Sequence, residues 1–246
     1  MSTLVLFLCS LGLLAGSTVK GVVGIGLPLV AVPLLTALVD LKTAVTLTVV
    51  PIIASNFQQS FHGGHFKRML RRFWTLLLPL LVAIMLGTRL LVVLPEKTLD
   101  LIIGLSIIAM PIVLRLRPNV RVKREHERWL NPLVGVASGL LGGISTFYGP
   151  PLMLYVFSMR MPKDEFIPAI SIMYTVAGIG MLIGLGVMGV STPTQLGLSV
   201  LMLIPTGIGM WLGRFVRVQL SESRFEFVLI CVYVATGLSF LVHALF

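Results

Sequence analysis

Charged side chains are too scarce in this chain to clothe a water-soluble surface. They make up 11% of its 246 residues, while 57% are hydrophobic. A soluble domain of that length carries about 25% charged and roughly 45–50% apolar residues. Most of the surface must therefore face lipid. The apolar residues gather into runs at about 3–19, 27–39, 43–61, 73–94, 98–116, 130–144, 150–159, 166–190, 195–216 and 225–245. Six of them are roughly 19 to 25 residues long, enough to cross about 30 Å of hydrocarbon as helices. Runs 27–39, 130–144 and 150–159 are too short for an untilted crossing, and they flank Gly/Pro-rich breaks.

A net charge of +10 would suit a nucleic-acid partner, but the basic residues sit in short clusters between the apolar runs. Loop 65–72 holds Lys67, Arg68, Arg71 and Arg72, and loop 115–128 holds Arg115, Arg117, Arg121, Lys123, Arg124 and Arg128. Arg160, Lys163, Arg214, Arg217 and Arg224 bring the total to fifteen of the nineteen Lys and Arg. Membrane proteins mark cytoplasmic loops in this way. Placing these loops in the cytoplasm sends runs 43–61 and 98–116 inward and 73–94 outward. Runs 166–190 and 225–245 then go outward and 195–216 inward, so both termini lie outside the cell membrane. Each triplet is preceded by a hairpin, 3–40 or 130–163, that begins and ends on one side.

A weak internal repeat runs in the same order. GLPLVAVPLL at 26–35 aligns with GPPLMLYVFS at 149–158, Leu86-Gly87 with Leu212-Gly213, and Asp100 with Glu226. The expectation is an all-α integral membrane protein of two inverted-topology repeats, each a broken hairpin segment followed by three transmembrane helices, with eight to ten membrane segments in all. Residues 1–117 form the first repeat, 118–129 a basic cytoplasmic linker, and 130–246 the second. The N-terminus lacks a basic n-region and a cleavage site, and is expected to belong to the mature chain. Cys9 and Cys231 lie in apolar runs and are expected as small buried hydrophobes.

The hairpin tips, AGSTVKGVVGIGLP at 15–28 and SGLLGGISTFYGPP at 138–151, hold the strongest candidates. Pro28 and Pro151 suit the first turn of a helix. The short helices they start would end at opposite faces, bringing both N-termini near the midplane. There the unpaired N–H groups of residues 26–30 and 149–153 favour an anion, and Gly24, Gly26 and Gly149 permit close approach beside Pro28, Pro150 and Pro151. The competing reading is that these glycines only let helices pack closely. Lys20 is the charged residue of the tips: a counter-charge for the anion, or a solvated cation in a cytoplasmic turn. On run 43–61, Asn56, Gln59 and Ser60 share a helix face and serve either as hydrogen-bond donors to an oxyanion or as glue between helices. Ser145, Thr146 and Tyr148 flank the second break and join the candidate site.

Other constellations are weak. His62 and His65 lack a third ligand nearby, so no metal is expected. Ser239 and His243 lack an orienting acid, and GVVGIG at 21–26 follows no strand and is not a nucleotide loop. The nine acidic residues all fall at expected helix ends or loops. That disfavours a cation transporter and leaves coupling to a proton the substrate carries.

These same residues resemble the TauE/SafE family of sulfite exporters. The first half is similar to its glycine-rich pattern in AGSTVKGVVGIGLPLVAVPLL at 15–35, and the second to its G-P-P element in GGISTFYGPPLMLY at 142–155. The motif positions carried over are Gly21, Gly24, Gly26, Pro33, Gly149, Pro150, Pro151 and Tyr155. The resemblance implies a secondary transporter for sulfite, organosulfonates or related small oxyanions and carboxylates. Its partners would be the small anionic substrate, the lipid bilayer, a coupling proton and conceivably a second copy of the chain, with no nucleic acid, cofactor or metal. The rivals are an anion channel, an intramembrane enzyme, for which no catalytic set is evident, and a non-transporting scaffold.

Overall fold

The structure is a computed structural model that describes all residues except 25, 117–120, 220–221 and 246, and leaves aside the side chains of 23, 110–116, 163, 217–219, 222–229, 232–233, 243 and 245. His243 and Glu226, noted in the sequence, thus have side chains outside the described set. Every regular element among the described residues is helical. The long helices are α1 (Thr3–Val23), α3 (Leu41–Ser60), α4 (Phe66–Val93), α5 (Glu96–Leu116), α6 (Glu127–Ser145), α8 (Lys163–Val187), α10 (Leu203–Gln219) and α11 (Glu222–Leu245). The short ones are α2 (Leu27–Thr36), α7 (Gly149–Ser158) and α9 (Pro193–Leu201). Four described stretches are long and apolar enough to cross a bilayer: Thr3–Val22, Phe66–Val93, Asp164–Val187 and Pro193–Val216.

Helix α4 shows why these runs demand lipid. Its inner face buries Met69, Phe73, Leu76, Leu80, Ala83 and Ile84, while Leu70, Trp74, Leu78, Val82 and Leu86, spaced four apart, are exposed. A helix that is apolar on both faces is stable only when its outer face meets hydrocarbon.

The chain forms two compact units. Unit 1 comprises residues 1–51, 95–111 and 191–246, and unit 2 comprises 52–94 and 112–190. Each unit therefore draws on both halves of the sequence. The chain crosses between them within α3 after Pro51 and within α5 after Pro111.

In unit 1, α1 packs on α10 and α2, and α2 also meets α11. The α1–α10 crossing is made of glycines: a Cβ on Gly21 would lie 2.6 Å from the Met210 carbonyl and 2.9 Å from the Gly213 Cα. In unit 2, α4 packs on α6 and α8. There a Cβ on Gly143 would lie 2.7 Å from the Gly87 Cα, and one on Gly139 would lie 2.6 Å from the Leu80 carbonyl. Backbones this close gain dispersion contacts that larger residues would prevent, the usual way helices associate where no water drives them together.

Several expectations are corrected. The tips are mostly helix: α1 runs to Val23 and α6 to Ser145, so each break is about three residues wide. Run 3–19 lies within a helix of 21 residues, and run 130–144 within one of 19. Residues 65–72 are not a loop, because α4 begins at Phe66 and Lys67 to Arg72 occupy its first two turns. Lys and Arg are good helix formers, so the helix outlasts the hydrophobic run. Run 195–216 is broken at Met202 into α9 and α10; Pro205 has no N–H for the carbonyl four residues earlier. Cys9 is buried as expected, but Cys231 is exposed, since the outside of a membrane protein is itself apolar.

Candidate functional site

The first break is built from two left-handed glycines. Gly24 (φ 87°) closes α1, its N–H donating to the Lys20 carbonyl at 2.6 Å, and Gly26 (φ 104°) starts α2 without any side-chain cap. A β-carbon there would strain the backbone by about 1–2 kcal/mol. A Cβ on either glycine would meet no described atom within 4 Å, although Gly24 is buried. Open space thus adjoins the capless start of α2. Lys20, one turn before the break, is 1% exposed and among the largest fully buried side chains. A solvated cation in a turn is therefore ruled out. The glycines divide by role: Gly21 is a packing residue of the α1–α10 crossing, while Gly24 and Gly26 shape the break.

The second break lies in unit 2. Thr146 caps α6 in the left-handed region (φ 65°), its N–H donating to the Gly142 carbonyl at 2.7 Å. The Ser145 hydroxyl donates to the Leu141 carbonyl at 2.9 Å and accepts from the Phe147 N–H at 3.1 Å, and the Thr146 hydroxyl donates to the Ser145 carbonyl. Both hydroxyl protons are therefore committed to ending the helix. Tyr148 follows, 1% exposed, with its hydroxyl unpartnered among the described atoms. A Cβ on Gly142 would fall 2.6 Å from the Tyr148 Cβ, so that glycine makes room for the ring. The Tyr148 ring meets Tyr174 of α8 edge to face at 4.8 Å, and a Cβ on Gly149 would lie 2.5 Å from the Tyr174 hydroxyl. Two buried tyrosines thus bracket the start of α7.

Helix α7 begins at Gly149, so Pro150 and Pro151 occupy its next two positions and neither has an N–H. The first turn then offers the Gly149 N–H, and the wider set expected over 149–153 shrinks accordingly. At α2 the gap is smaller, because only Pro28 lacks a donor there.

The remaining candidates lie deeper in unit 2. The Tyr155 hydroxyl donates to Asn131 Oδ1 at 2.6 Å, and Asn131 Nδ2 donates to the Thr75 hydroxyl at 2.7 Å. This buried chain ties α7, α6 and α4, so Tyr155 holds α7 in place two turns from its start. On α3, the Asn56 amide donates to the Ile52 carbonyl at 2.8 Å and the Ser60 hydroxyl to the Phe57 carbonyl at 2.6 Å, while Gln59 Oε1 is buried with no partner among the described residues. Lys20, Gly24, Gly26 and Pro28 therefore belong to unit 1, and Asn56, Gln59, Ser145, Thr146, Tyr148, Gly149, Pro150, Pro151 and Tyr155 to unit 2. From the sequence, Tyr174 on run 166–190 reads, like Ser145, Thr146 and Tyr148, as either an anion donor or glue between helices; it is its place beside the break that the sequence does not give. Among the described residues, no cluster of three His, Cys, Asp or Glu is placed to hold a metal.

Helices of membrane-crossing length, with two breaks before short helices that carry proline in the first turn, mark a multi-pass membrane protein. The chain belongs to the sulfite exporter TauE/SafE family, whose model matches residues 8–240. That family is one of membrane transporters. The comparisons with curated proteins and with solved structures each returned no match.

Proposed function

We propose that this protein is a secondary transporter of the cell membrane, moving sulfite, an organosulfonate or a related small oxyanion or carboxylate by alternating access. Lys20 carries the reading. Lys20 is buried in α1 one turn before the break, where a Cβ on Gly24 or Gly26 would meet no described atom within 4 Å. An anion held beside this break would meet the positive charge of Lys20 and accept hydrogen bonds from the start of α2. In unit 2, Tyr148, whose buried hydroxyl is unpartnered among the described atoms, and the Gly149 N–H form the corresponding feature beside the second break.

In this reading residues 1–117 and 130–246 are inverted repeats, each carrying one break before a short helix with proline in its first turn. The glycine crossings support the repeat. Gly87 of α4 meets Gly143 of α6, and Gly213 of α10 meets Gly21 of α1, so both helix pairs cross glycine on glycine, within a residue of the aligned positions. Pro51 and Pro111, where the chain changes units, supply the weakened helix points that alternating access needs.

Uptake of labelled sulfite into proteoliposomes tests the proposal. Saturable flux with counter-flow is expected, and Lys20→Ala should abolish it while the purified protein stays monodisperse. Non-saturating flux would make the protein a channel, and unchanged uptake by the variant would remove Lys20 from the mechanism.

A further inference from the structure

Five cations line one pocket of unit 2 at the start of α4. Lys67, Arg68, Arg71 and Arg72 come from the first two turns of that helix and Arg124 from the turn preceding α6, around a volume of about 480 Å³. Two are compensated. Arg72 Nε donates to Glu127 Oε2 at 2.9 Å, with a second bond from the same guanidinium to Oε1, and Arg68 pairs with Glu165 at 2.8 Å. Among the described residues, Lys67, Arg71 and Arg124 have no carboxylate within 4 Å. Five cations against two carboxylates leave three positive charges converging on one space. A topological signal alone needs basic residues only near the membrane, free to splay into water.

The depth of the pocket indicates what fills it. Helix α4 has 28 residues, about 42 Å at 1.5 Å per residue, against about 30 Å of hydrocarbon. Its first turns therefore project beyond the apolar core. Trp74 on α4 is 57% exposed and Trp129 on α6 is 77% exposed, both within a few residues of the cations. Exposed tryptophans settle at the headgroup layer. Leu70, between the cations on the same helix, is also exposed, as suits a pocket bordering acyl chains.

We propose that this pocket binds the phosphate groups of an anionic lipid, with Lys67, Arg71 and Arg124 as their ligands. Three uncompensated cations and room for more than one phosphoryl group favour a headgroup with two phosphates over one. Each cation near a membrane surface contributes about 1 kcal/mol toward an anionic lipid, about fivefold in affinity.

Native mass spectrometry and thermal unfolding of the detergent-solubilised full chain test this without reference to transport. Cardiolipin should bind and raise the unfolding temperature, phosphatidylglycerol less so, and phosphatidylcholine not at all. The triple variant K67Q/R71Q/R124Q, which spares both ion pairs, should weaken cardiolipin binding on the order of 100-fold. R89Q, which removes a charge from the far end of α4, should leave it unchanged. Cardiolipin binding that survives the triple variant would overturn the assignment. So would stabilisation by soluble pyrophosphate equal to that by cardiolipin, which would identify the ligand as a free anion.

Discussion

Removing the Tyr148 hydroxyl separates a structural role from one facing substrate. An unpaired buried hydroxyl is a liability to the fold, so Tyr148→Phe should leave thermal stability unchanged or raise it. If the hydroxyl serves an anion, the same variant loses about 1.5–3 kcal/mol of binding, a tenfold or greater rise in the transport KM. Gly21 and Gly24 separate differently. Gly24→Ala meets open space and carries only the strain of its positive φ, about 1–2 kcal/mol. Gly21→Leu drives a side chain into the α10 backbone and should prevent stable folding altogether, as melting of the purified variants will show. Both glycines stand in one motif, so the sequence could not tell them apart: one answers to its own dihedrals, the other to a helix nearly two hundred residues away. The hydroxyls of Ser145 and Thr146 were opaque for a similar reason, because donors beside a break serve either a ligand or the helix end. Pro150 and Pro151, by contrast, declare their missing donors in the sequence itself.

Among the elements, the tie between α4 and α6 is open to direct measurement. Arg72 and Glu127 are largely buried, with side chains 18% and 9% exposed, and removing one partner leaves a charge without compensation. Arg72→Gln should destabilise by about 3 kcal/mol, and adding Glu127→Gln should recover part of that loss in a double-mutant cycle of unfolding temperatures. Arg68, more than half exposed, should contribute less than about 1 kcal/mol through Glu165. In the proposed alternating access, the prolines where α3 and α5 change units would be the points of flexing. Pro51→Ala restores a missing backbone bond, and is expected to slow turnover several-fold with little change in substrate affinity, measured as kcat against KM in proteoliposomes. At this scale the sequence was informative where proline or hydropathy dictates the backbone. The starts of α2 and α7 were legible from Pro28 and from the Gly-Pro-Pro of 149–151. The start of α4 was not, because hydropathy reports where hydrocarbon begins and a helix of lysine and arginine continues past that point.

For the whole molecule, topology is the prediction that separates the proposed inverted repeats from other arrangements. With Cys9 and Cys231 replaced by alanine, Lys123→Cys should react with a membrane-impermeant maleimide only from the cytoplasmic side, and Thr192→Cys only from outside. Both positions are exposed. Labelling of both from one side would refute the inverted arrangement. The membrane class was plain from the missing charge, and its helical character from the length of the apolar runs. The two compact units were not, because each is assembled from helices of both halves and a hydropathy profile carries no pairing information.

That assembly has a consequence during biosynthesis. The glycine face of α1 leaves the ribosome about 180 residues before α10, its main packing partner, begins. At about 5–20 residues per second, α1 waits on the order of ten seconds or more in the membrane with its groove unfilled. A nascent chain arrested between α9 and α10 would therefore expose that groove to whatever insertion factor or chaperone attends the translocon, and two separately expressed halves would fold only when made together.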